Sequence, residues 1–238
     1  MRDFFKRVED DNIVNIEVNF EVEDAKEMNP WLLSIFVKYD GADERIEGYE
    51  EFLETKEALI IALGHNDRAI YVGTRIVDGW SEFYFYSYDS KRVDSIVKQI
   101  LTPSNYVYES NIVRDTKWDF HHHNLVPTEL ELCHIQSAKI IFLLQEEEED
   151  LTVPREVEHY LSFETPTQKN RFLNTLDIEG CKIKDEIDSE EFEHGVALVK
   201  THRVTEEEVE KVVSVLFAEV KKCDGFYEGW STVLVNEE

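Results

Sequence analysis

Two segments of this sequence share one order of secondary-structure elements, and that repetition limits the fold more than any other feature. Each segment reads as strand, helix, two strands, helix and strand, judged from the spacing of its apolar residues. The first copy runs from Trp31 to Val113 and the second from Val157 to Val235. We find no residue-level identity between the copies, so the repeat is one of architecture.

The best-marked element is the last helix of the second copy. Thr205 followed by Glu208 predicts a capping box at its start, and Gly225 provides a stop after its end. Apolar residues recur at intervals of three and four along it, which predicts one buried stripe. Its members are Val209, Val212, Val213, Leu216, Phe217 and Val220.

The first copy shows matching signals. Its two central strands, 69–77 and 80–88, are joined by Asp78-Gly79, a strong two-residue hairpin signal. A helix is expected over 50–63, and the alternating segment from Asn12 to Phe20 is expected to add an edge strand. Both copies therefore predict an α+β protein of two tandem ferredoxin-like βαββαβ domains, with antiparallel sheets and helices on one face.

The segment between the copies begins with a second capping-box pattern, Thr128 and Glu131, and continues as a helix through Leu144. This helix is apolar on most sides, so we expect it to pack onto the first domain. The run of acidic residues that follows, and then Pro154, predict a linker. The expected domains are 1–145 and 156–238, joined by the acidic linker 146–155.

The charge is the unusual part of the composition. The formal net charge is −27, with 52 acidic against 25 basic residues. Such a surface repels nucleic-acid phosphates and anionic membranes and favours basic partners. The alternative is that the acidic residues only keep the protein soluble, as is common in bacterial cytosolic proteins. The three cysteines are widely spaced, no apolar run reaches about 20 residues, and no signal-peptide pattern is present. These features predict a cytoplasmic protein.

Few patterns in the sequence are typical of metal-binding, RNA-binding or catalytic sites. His121 and His123 are the candidate metal ligands, but no CxxC or HExxH spacing accompanies them. The aromatic strand 80–88 lacks the basic residues of an RNA-binding sheet, so we expect it to pack in a core. No motif of nucleophilic, phosphate-binding or metal catalysis is present in the sequence, which predicts no catalytic residue, metal or cofactor.

The final strand carries the signature Tyr227-Glu228-Gly229-Trp230 after a helix that ends at Gly225. Together with the strand Val157–Phe163, this resembles the RraB-type protein inhibitors of ribonuclease E. The first copy resembles a family of unknown function that occurs fused ahead of RraB-like domains. That match depends on Trp118-Asp119-Phe120 and Asn124-Leu125-Val126-Pro127.

The resemblance implies a non-enzymatic protein that binds the ribonuclease and reduces its action on RNA. A basic segment of the ribonuclease, or another basic protein, would suit the acidic surface. From charge and expected exposure, the candidate contact residues are Glu190, Glu191, Glu193, Glu146, Glu147, Glu148, Glu149 and Asp150. The signature residues Gly225, Tyr227, Glu228, Gly229 and Trp230 are expected to be structural. A generic interaction module and a metal-dependent enzyme built around His121–His123 are the alternatives.

Overall fold

The computed structural model describes residues 2–187 and 194–235. The chain divides into two compact units between Pro127 and Thr128. Within the described residues, both units are mixed α+β, and every paired strand is antiparallel to its neighbour. None of the helices in these ranges is both long enough and apolar enough to span a membrane.

The first unit contains the expected order of elements, preceded by a hairpin. The hairpin strands are β1 (Arg2–Glu9) and β2 (Asn12–Asn19). The repeat then follows as β3 (Trp31–Val37), α1 (Tyr49–Gly64), β4 (Ala69–Val77), β5 (Trp80–Ser87), α2 (Val93–Leu101) and β6 (Tyr108–Arg114). The described strands form one sheet in the order β1-β2-β4-β5-β3-β6. The sequence indicated β2 but not β1.

Strand β5 shows how both faces of this sheet are covered. Phe83 and Phe85 point into a core shared with α1 and α2. Tyr84 and Tyr86 point to the other face, where the ring of Tyr86 stacks on Trp118 with centroids 4.0 Å apart. The ring of Phe120 packs against Tyr84 on the same face, tilted by 36° with centroids 4.4 Å apart. The aromatic strand therefore packs on both sides, as expected from its lack of basic residues.

The second unit begins with a helix and continues with the second copy. Its elements are α3 (Glu129–Glu146), β7 (Arg155–Phe163), α4 (Pro166–Thr175), β8 (Cys181–Ile187), β9 (Gly195–His202), α5 (Glu206–Lys221) and β10 (Gly225–Thr232). The described strands are ordered β10-β7-β9-β8. Alternate residues of β7 are buried, which places one face of the sheet against the helices.

The position of α3 corrects the expected domain boundary. Cys133, Ile141 and Leu144 of this helix belong to the same core as α5 and β10, so α3 is part of the second unit. Leu132, Phe142 and Leu143 of the same helix are exposed, so the helix is not buried on all sides. The division accordingly falls at 127/128 rather than within 146–155.

Of the two predicted capping boxes, the one at α3 is confirmed and the one at α5 is wrong. At α3, the Thr128 hydroxyl accepts from the Glu131 N–H, and the Glu131 carboxylate accepts from the Thr128 N–H. At α5, Thr205 is the N-cap residue but its side chain makes no capping hydrogen bond. Glu208 instead forms a 2.6 Å ion pair with Arg203. The predicted stripe is nevertheless confirmed, since Val209, Val212, Val213, Leu216 and Val220 are buried and Phe217 is half-buried against the same core.

Candidate functional site

The signature residues lie on a β-bulge in the edge strand β10. Tyr227 is opposite Leu161 and Gly229 is opposite Tyr160, so Glu228 is the extra residue without a partner on β7. Gly229 has φ +135°, a conformation that residues with a side chain rarely adopt. The bulge turns both Tyr227 and Trp230 into the core and leaves Glu228 exposed.

Trp230 attaches this strand to α3. Its indole Nε1 donates a 3.0 Å hydrogen bond to the hydroxyl of Ser137, and that hydroxyl donates in turn to the carbonyl of Cys133 at 2.8 Å. All three residues are buried. The signature tryptophan therefore attaches α3 to the edge strand β10.

Tyr227 begins a buried chain of hydrogen bonds. Because a carbonyl can only accept, His202 Nδ1 donates to the Arg203 oxygen at 2.7 Å. In the neutral ring, His202 Nε2 is then an acceptor, 3.2 Å from the donating Nε2 of His159. His159 Nδ1 accepts from the Tyr227 hydroxyl at 2.8 Å. One arrangement of protons satisfies every bond when both histidines are neutral.

Burial also favours the neutral histidines. Desolvation, with smaller contributions from the charges of His202 and Lys200, lowers the pKa of His159 to about 3. Desolvation likewise lowers the pKa of His202. Sequence reasoning missed this cluster. A signal was present, because His159 alternates with the apolar Val157 and Leu161 on the inward face of β7.

A groove of about 410 Å³ lies between α3 and the bulge. Its floor and walls are Cys133, Gln136, Ser137, Lys139, Ile140, Tyr160, Glu228, Gly229 and Trp230. Burial raises the pKa of the Cys133 thiol to about 11, so the thiol is protonated and unsuited to nucleophilic attack at neutral pH. The Glu228 carboxylate accepts from the Ser162 hydroxyl. The groove offers shape and polar contacts for a partner, and its thiol is not an activated nucleophile.

Gly225 marks the start of the signature strand. A Cβ atom here would lie 2.5 Å from the ring of Phe163 and 2.7 Å from Val220. The glycine therefore allows α5 and β7 to approach the backbone closely.

The candidate acidic contacts are not equivalent. Glu146, Glu147 and Glu148 are exposed at the end of α3, and Asp150 accepts hydrogen bonds from the backbone and hydroxyl of Thr152. Glu149 is buried. Glu190, Glu191 and Glu193 lie outside the described residues.

The burial of Glu149 corrects its assignment as an exposed contact. Its carboxylate pairs with the buried guanidinium of Arg155 and accepts from the Val235 N–H at 3.0 and 3.1 Å. A charged group can be buried when it is paired and hydrogen-bonded in this way. Residues 146–155 therefore include an anchored turn within the second unit.

The three consecutive histidines of the first unit point to different partners. His121 is buried beside Trp118, with ring centroids 5.4 Å apart. His122 Nε2 is 2.7 Å from Lys26 Nζ, and His123 Nδ1 is 2.7 Å from the Asp119 carbonyl oxygen. Across residues 2–187 and 194–235, no group of three or more His, Cys, Asp or Glu side chains is arranged to hold a metal ion.

Comparisons with known proteins match both halves of the chain. A family model described as "Regulator of ribonuclease activity B" (RraB) matches residues 134–232. A model described as a family of unknown function, DUF695, matches residues 3–126, more than half of the chain. No curated protein and no solved structure matches. The two resemblances read from the sequence are thereby confirmed, and the RraB match begins inside α3, in agreement with the place of that helix in the second unit.

Proposed function

Since the chain belongs to the DUF695 family of unknown function and its second unit matches the RraB model, we propose that it is a non-enzymatic regulator of a ribonuclease E-type enzyme. In this proposal the second unit binds a basic segment of the ribonuclease and reduces its action on RNA. The RraB match over residues 134–232 is the observation that carries the proposal.

The charge of the chain supports a basic protein partner. A net charge of −27 attracts arginine-rich segments and opposes contact with RNA phosphates. We assign the initial contacts to the exposed Glu146, Glu147, Glu148 and Asp150, and to Glu190, Glu191 and Glu193. These carboxylates would bind the arginines of the basic segment and would compete with RNA for them. The protein itself is expected to act in the cytoplasm without binding nucleic acid.

The architecture supports a rigid binding scaffold. In each unit the order of the central strands, β4-β5-β3-β6 and β10-β7-β9-β8, is the one that we assign to a ferredoxin-like βαββαβ domain. In the second unit, Trp230 fixes β10 to α3, and the buried histidine chain connects β10 to β7 and β9. A partner would therefore meet a preformed surface, which lowers the entropic cost of binding.

The proposal is tested by direct binding of the purified full chain to a purified ribonuclease E-type enzyme from the same organism, at low and at physiological salt. We expect binding that weakens steeply with salt, because exposed charges are screened over about 8 Å at 0.15 M ionic strength. Replacing Glu190, Glu191 and Glu193 together by glutamine should weaken it further. A labelled RNA should not bind. RNA binding that is insensitive to salt, without ribonuclease binding, would contradict the proposal. If the chain binds neither the RNA nor the ribonuclease, the generic interaction module becomes the preferred account.

A further inference from the structure

A second groove, unrelated to the signature residues, runs along the outer side of α5. It has a volume of about 580 Å³, within the range of roughly 300–1,000 Å³ that is typical of ligand pockets. It lies between α5 and the segment that leads from α4 into β8, and Lys200 of β9 and Arg203 close one end. We call it the α5 groove. It shares no lining residue with the groove at the bulge.

The floor of the α5 groove is apolar. Val212 and Leu216 are buried at its base, and Ile178 forms a half-buried wall. Val215 is 44% exposed, although it is a valine in the middle of a helix. An apolar side chain from a partner would cover Val215 and Ile178, and removal of this apolar surface from water would favour binding.

The rim of the α5 groove is acidic. Five carboxylates line it against three basic side chains. Two of the three bases are engaged locally, because Arg203 pairs with Glu208 and Lys200 donates to the Glu179 carbonyl. The exposed carboxylates at the rim are Asp177, Glu179 and Glu207.

We propose that the α5 groove binds a basic amphipathic segment of the partner protein, with apolar side chains on Val215 and lysine or arginine side chains against the acidic rim. Helix-in-groove recognition combines these two kinds of contact. A nucleic acid does not suit the acidic rim, and a second copy of a chain with charge −27 would be repelled. This inference rests on the proposed function and names the surface through which the basic segment is held.

The experiment compares ribonuclease binding by full-length variants. Val215→Lys places a cation in the lining of the groove and should weaken binding about tenfold or more, because like charges across an interface repel each other. The matched control is Leu143→Lys, which makes the same change at an exposed leucine of α3 that lines none of the grooves described above. It should bind as the natural protein does.

A second comparison tests the rim. The triple variant Asp177→Asn, Glu179→Gln, Glu207→Gln should lose affinity at low salt. The triple variant Glu50→Gln, Glu51→Gln, Glu54→Gln alters net charge equally at exposed positions of α1 and should lose little. If the natural protein binds the ribonuclease and all four variants bind it equally well, the assignment of the α5 groove as the binding surface is wrong. The proposed function would then still stand.

An independent probe is a synthetic amphipathic peptide with leucine on one face and arginine on the other. In a titration of methyl-labelled protein, we expect the largest shifts at Val215, Val212 and Ile178. Shifts spread evenly over the acidic surface, or absent from these methyl groups, would overturn the inference. This readout applies whether or not the ribonuclease binds, so failure of the groove and failure of the proposed function are distinguishable.

Discussion

The indole nitrogen of Trp230 donates a 3.0 Å hydrogen bond to the hydroxyl of Ser137, 93 positions earlier in the chain. This contact joins the bulged edge strand to the helix that opens the second unit. The RraB match likewise begins within α3, before the first strand of the second unit. The signature tryptophan and the helix are therefore parts of one structural unit.

Replacing Ser137 by alanine should destabilise the second unit by about 1–3 kcal/mol, because the buried indole N–H is left without an acceptor. The control is Ser231→Ala, which removes an exposed hydroxyl from the same strand as Trp230 and should change stability by less than about 0.5 kcal/mol. Urea denaturation followed by tryptophan fluorescence measures both. Equal midpoints for the two variants would show that the bond contributes nothing.

Leu216→Ala should cost about 2–5 kcal/mol, the range for a leucine whose side chain is fully enclosed. Val215→Ala on the same helix is the matched control and should cost far less, since Val215 is half-exposed. Denaturant melts measure the free energy of unfolding of both variants. A loss below about 0.5 kcal/mol for Leu216→Ala would mean that the stripe does not face the core.

The order of elements and the buried stripe of α5 were predictable because apolar spacing records which side of each element faces a core. Strand β1 was missed because its charged residues, such as Asp3 and Lys6, interrupt the alternation. The place of α3 could not be read from its own apolar content. It depends on long-range contacts that local patterns do not contain, such as the packing of α3 on α5 and the hydrogen bond of Ser137 with Trp230.

The candidate site was predictable only in part. The signature strand could be recognised, and the close approach at Gly225 follows from the glycine itself. The burial of Glu149 could not be foreseen, because it requires Arg155 and the distant Val235 N–H in one place. Similarly, the α5 groove depends on residues from α5, β9 and the segment before β8.

The buried histidine pair predicts a specific pH dependence. The pKa of His159 is about 3 in the folded protein, against about 6.5 in the unfolded chain. The neutral ring therefore contributes stability that is fully present above pH 6.5 and is lost as the pH falls from 6.5 towards 3. The loss should approach about 1.4 kcal/mol per pH unit over this window, because only the unfolded chain gains the proton.

The comparison of natural protein and His159→Gln isolates this contribution from that of the many carboxylates. The variant should be the less stable protein at pH 7.5, and the difference should shrink by pH 4.5. Denaturant melts at the two pH values measure it. A difference that stays constant, or that grows at low pH, would contradict a neutral buried His159.

Protein purified without an affinity tag should contain no stoichiometric zinc, nickel or iron bound at His121–His123. His121 is buried beside Trp118, while the rings of His122 and His123 lie against Lys26 and the Asp119 carbonyl. Elemental analysis tests this directly. One metal ion per chain that is lost in the double variant His121→Ala, His123→Ala would support the metal-dependent enzyme instead.

The most direct test of the central claim is the rate at which a purified ribonuclease E-type enzyme cleaves a labelled RNA as the chain is added. The account predicts that cleavage slows in a saturable manner, that higher salt weakens the effect, and that Val215→Lys inhibits less than Leu143→Lys. An unchanged cleavage rate at a molar excess of well-folded protein would contradict it.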